Sequence, residues 1–69
     1  MSDPEEKLKR IVGETGKVNP AYGGFDIEVS KPTLFPWYKV LTELIEIGQD
    51  VWISKKEGKV HLVSEHKIK

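Results

Sequence analysis

The stretch Trp37-Tyr38-Lys39-Val40-Leu41-Thr42-Glu43-Leu44-Ile45-Glu46-Ile47-Gly48 decides the architecture. At ~100° per residue, Trp37, Tyr38, Val40, Leu41, Leu44, Ile45 and Ile47 fill one half of a helical wheel, and Lys39, Thr42, Glu43 and Glu46 fill the other. The spacing predicts an amphipathic helix over residues 37–47, ended by Gly48, whose apolar half must be laid on another layer. Lys39 stands one turn before Glu43, which predicts a solvated face with i, i+4 pairing.

That layer follows in the sequence. Residues 51–55 (Val-Trp-Ile-Ser-Lys) and 59–65 (Lys-Val-His-Leu-Val-Ser-Glu) are β-rich runs joined through Lys56-Glu57-Gly58, a hairpin with glycine at the left-handed position. Val51 and Ile53 then share a face with part of the Val60, Leu62 set, and Trp52 points the other way. Upstream, residues 25–30 alternate apolar and polar, which sets Phe25, Ile27 and Val29 toward the core. Between this run and the helix, Pro32 and Pro36 forbid a regular helix and favour a turn or 3₁₀ entry.

At the other end, Asp3 caps a helix over residues 4–12 with Pro4 at its first position and Glu6 in capping-box spacing. Leu8, Ile11 and Val12 make a narrow stripe, and Gly13 stops it. This short helix is expected to cover an edge or end of the sheet and to fray first. Lys17-Val18 reads as a short strand, and residues 19–24 (Asn-Pro-Ala-Tyr-Gly-Gly) as a loop. The expectation is one α+β domain over residues 1–69 in the order α-β(β)-α-β-β, with a small antiparallel sheet under the long helix and no repeat. A winged-helix arrangement is the alternative, although it usually needs a third helix.

Composition narrows the function. The 69 residues carry eleven lysines and arginines against eleven aspartates and glutamates, so no global field draws the chain to phosphate backbones. There is no cysteine, hence no disulfide framework or thiolate chemistry, which suits a reducing, cytoplasmic setting. No basic leader opens the chain, and no apolar run approaches the ~20 residues that span a bilayer. One Asn, one Gln and one Met within a Lys/Glu-rich composition suggest a thermophilic source.

None of the sequence patterns for catalysis, nucleotide binding or metal binding is present. His61 and His66 fall on opposite faces of a strand and cannot share a metal there. The expectation is therefore a non-enzymatic chain with no catalytic residue, cofactor or metal. Two binding readings remain. Lys55, Lys56 and Lys59 beside Trp52, with Lys67 and Lys69 beyond, would suit nucleic acid, though hairpin lysines also serve solubility and guard an edge.

The other reading rests on Lys31-Pro32-Thr33-Leu34-Phe35-Pro36-Trp37-Tyr38. An aliphatic residue followed three and four positions later by two aromatics on a tight turn projects Leu34, Trp37 and Tyr38 to one side, a plug for an apolar pocket. The competing reading makes these three the start of the helix's buried face. The eight residues resemble the motif of the sliding-clamp-binding proteins, Q-x-x-[LIM]-x-x-aromatic-aromatic, with Lys31 in place of the glutamine. Small size and composition are also similar to the short clamp-binding inhibitors of the Thermococcales. The resemblance implies a protein partner, proliferating cell nuclear antigen, engaged and inhibited through Lys31, Leu34, Phe35, Trp37 and Tyr38.

Overall fold

The computed structural model describes residues 3–66. In chain order these form α1 (Pro4–Val12), a 3₁₀ turn (Gly13–Thr15), β1 (Gly16–Ala21), β2 (Gly24–Val29), α2 (Trp37–Glu46), β3 (Gln49–Lys56) and β4 (Lys59–His66). The class is α+β, in the expected order, with the optional first strand present. All pairings are antiparallel, and the sheet order is β1-β2-β4-β3. Each hairpin thus gives its second strand to the centre and its first to an edge. The chain is two helix-hairpin units set side by side in one sheet, β2 against β4, a regularity that its side chains do not repeat.

Register fixes which residues meet the helices. Val18 opposes Ile27, Ile27 opposes Leu62, and Leu62 opposes Ile53, so these side chains share one face. Both helices cover that face: Leu8 and Val12 from α1 and Val40 and Leu44 from α2 are buried with Val18, Ile27, Val29, Phe35 and Leu62. Phe25 packs against this cluster half-buried. The opposite face carries Asn19, Asp26, Glu28, Trp52, Ser54, His61 and Val63 and has no covering layer among the described residues.

The helix ends follow their caps. The Asp3 carboxylate accepts from the Glu5 amide at 3.1 Å, and Gly13 leaves the helix with φ 57°. As expected, α1 lies over an edge of the sheet, strand β1, and its fully buried Leu8 joins the core beside α2. Glu43 is not paired to Lys39 as the helical spacing suggested. It meets Lys7 of α1 at 3.0 Å, because the neighbouring helix offers a cation on that flank.

Two further expectations are corrected. Residues 19–21 are strand rather than loop, and the connection to β2 is only Tyr22-Gly23. Proline is compatible with this because β1 is an edge, where a missing N–H breaks no ladder bond. The close approach of β4 to Gly24, where any β-carbon would collide with the Ser64 carbonyl, explains the glycine that follows. The second correction concerns α2: Val40 and Leu44 are buried, but Tyr38 and Ile45 are exposed and Leu41 is half-buried. The helix lies over edge strand β3 and shares the sheet with α1, so one flank of its apolar half overhangs the sheet.

Candidate functional site

The segment between β2 and α2 is a tied turn. Ser30 and Lys31 amides both donate to the Thr15 carbonyl at 2.9 Å, which anchors the segment to the end of the 3₁₀ turn. The Lys31 carbonyl then accepts from Leu34 at 3.0 Å and from Phe35 at 2.9 Å, winding residues 31–35 into a compact loop. The Trp37 indole N–H closes it by donating to the Pro32 carbonyl at 2.9 Å. Phe35 and Trp37 pack edge to face, ring centres 4.7 Å apart at 63°.

This geometry divides the five residues singled out for partner binding. Phe35 is 4% exposed and belongs to the core, so it offers nothing to a partner. Trp37 is half-buried and its N–H is occupied, so it braces the turn. Leu34 is 67% exposed and Tyr38 82% exposed, and Lys31 is exposed with them. An aliphatic and an aromatic side chain are therefore held in water on a segment whose backbone is fixed at both ends. Such groups cost free energy where they stand and are displayed on a rigid support.

The lysine hairpin is organised differently from a cationic patch. Lys56 lies 3.4 Å from Asp26 and Lys59 3.9 Å from Glu28, both on the uncovered sheet face. Lys55, one residue before Lys56, points to the helix face. Trp52 is exposed on the uncovered face opposite Val63. The structure brings Trp52, Lys56 and Lys59 to one face but pairs both lysines with carboxylates and separates Lys55 from them. Lys67 and Lys69 lie outside the described residues.

Sequence reading missed the group that ties this face together. His61 Nδ1 donates to Asp26 Oδ1 at 2.7 Å, and the same carboxylate holds Lys56. Burial alone would raise the Asp26 pKa, but the His61 hydrogen bond and charge, followed by the charge and hydrogen bond of Lys56, outweigh it and leave it lowered. Asp26 and His61 stand 35 residues apart, and no local pattern links them. His61 and His66 do fall on opposite faces. Among the described residues no group of three or more His, Cys, Asp or Glu could hold a metal ion, and no helix is long and apolar enough to cross a membrane. The chain matches no protein-family model, and no curated protein or solved structure is significantly similar to it.

Proposed function

We propose that this chain is a non-enzymatic protein-binding module whose anchors are Leu34 and Tyr38, with Lys31 at the rim. The observation that supports the reading is the exposure of Leu34 and Tyr38 on a turn tied down by Thr15, Lys31 and Pro32. A fixed backbone spares the ordering cost of binding, and an aliphatic-aromatic pair fills an apolar pocket. The motif resemblance makes the DNA sliding clamp the first partner to test, with occupation of its peptide pocket as the means of inhibition. The glutamine is absent and Trp37 is half-buried, so the plug is Leu34 and Tyr38 rather than all three side chains.

Tyr38→Ala and Leu34→Ala test this. Both side chains are exposed, so each variant is expected to keep its stability within ~0.5 kcal/mol of wild type. Loss of a central anchor is expected to weaken clamp binding by ≥ ~2 kcal/mol, roughly thirtyfold. Thermal unfolding and calorimetric titration of purified clamp, run in parallel, give both numbers. A folded Tyr38→Ala variant that binds as tightly as wild type would end the proposal. Among the described residues the nucleic-acid reading draws support from exposed Trp52 and Lys55, which lie on opposite faces, since Lys56 and Lys59 are already paired with acids.

A further inference from the structure

The two edges of the sheet are not alike. β1 carries Pro20 near its end, which blunts an edge against pairing. β3 is longer, contains no proline, and presents its outer backbone along eight residues, Gln49–Lys56. Beside that bare edge lie the apolar groups that α2 leaves uncovered. Ile53 is 61% exposed and Ile45 64% exposed, and a groove of about 420 Å³ runs between α2 and β3, lined by Leu41, Ile45, Gln49, Asp50 and Val51 among others.

Charge along the β3–β4 hairpin says what fits there. At its open end Asp50 stands directly opposite Glu65, and at its turn Lys56 stands directly opposite Lys59. Lys56 and Lys59 are held by Asp26 and Glu28, but along the β3 edge itself Asp50 leaves an acidic excess near one end and Lys55 with Lys56, against the one Asp26 carboxylate, leaves a basic excess at the other. An antiparallel neighbour of the same sequence reverses that polarity and meets each excess with its opposite.

We propose that the β3 edge is the contact surface for a second copy of this chain, paired antiparallel about a two-fold axis perpendicular to the sheet. Such an axis keeps the helices of both copies on one side, so only residues on the same face can oppose one another. Of the registers that this permits, the one with Ile53 opposite Ile53 of the second copy places Asp50 opposite Lys56 of the second copy, twice by symmetry. Val51 then faces Lys55 of the second copy, whose aliphatic stem covers the groove beside Ile45 while its ammonium stays in water. Trp52 faces Ser54 on the uncovered face. The exposed backbone groups of both edges become ladder hydrogen bonds, and one sheet runs through both molecules. The proposal does not use Lys31, Leu34 or Tyr38, so it stands or falls apart from the clamp reading.

Sedimentation over about 10 μM to about 1 mM, the range in which an edge contact of moderate size associates, tests it on the full chain. Wild type is expected to form a dimer that weakens as salt rises. Asp50→Lys sets lysine against lysine, Lys56→Asp sets acid against acid, and each alone is expected to raise the dimer Kd by about tenfold or more. An equimolar mixture of the two variants is expected to recover the dimer, because both cross-copy pairs become complementary again. A wild type that stays monomeric throughout, a dimer indifferent to both swaps, or single variants that fail to recover on mixing would each overturn the proposal. Lys56 also holds Asp26, so circular dichroism accompanies each variant. Should Lys56→Asp lose its fold, Ile53→Lys at the exposed edge decides the matter: it places two lysines at the dyad, and a dimer that persists rules the contact out.

Discussion

Two side chains converge on Asp26, since His61 and Lys56 both reach its carboxylate on the uncovered face. Its pKa is lowered in the fold, so it binds a proton less readily there than in the unfolded chain. Above the ordinary aspartate value of ~3.9 the carboxylate is ionised in both states, and the stabilisation from its partners is fully present. As pH falls through that value toward the folded one, the unfolded state takes up the proton first and the contribution is lost. Asp26→Asn is therefore expected to flatten the decline of Tm between about pH 5 and pH 3, read by circular dichroism melts at stepped pH. Equal slopes for both proteins would show that the pair contributes nothing. The Asp26–His61 pair could not be read from the chain, and the sequence left Tyr38 open between an exposed plug and the buried face of the helix. A wheel places Tyr38 on the apolar half of α2, but which part of that half is covered depends on where the sheet ends beneath it.

The second hairpin shows how far local pattern reaches at the scale of an element. Its strands, its glycine turn and the opposite facing of Trp52 and Ile53 all followed from period-two alternation. The turn itself is one residue tighter than the sequence suggested: Glu57 and Gly58 alone connect Lys56 to Lys59, and both have positive φ, 52° and 80°. That is the geometry of a two-residue type I′ turn, which favours Asn-Gly, and a glutamate there sits in a region that L side chains avoid. Glu57→Asn is expected to raise stability by about 0.5–1 kcal/mol, checked by urea titration at unchanged m. No gain would mean that Glu57 makes a compensating contact. The first hairpin was harder to read for the converse reason. Pro20 signals a loop wherever strand position is unknown, and only the sheet order reveals that it sits on an edge.

For the whole molecule, the two-unit arrangement separates what forms locally from what does not. Each hairpin closes through two residues, whereas the β2–β4 ladder joins partners such as Asp26 and His61, 35 residues apart, with α2 and β3 between them. Closing that larger loop carries the greater entropy cost, and nothing rewards it until Ile27 and Leu62 meet under the helices. The seam between the units is therefore expected to set the folding rate. Ile27→Val, which trims the seam by one methyl group and about 1 kcal/mol, is expected to slow refolding about threefold in stopped-flow measurements. Val18→Ala on outer strand β1 is expected to act mainly on unfolding, and a reversal of these two responses would place the slow step inside a unit instead. A sheet whose neighbours in space are strangers in sequence only at its midline waits on one encounter, and the rate of that encounter sets how long newly made chains present Leu62 and Ile27 to water.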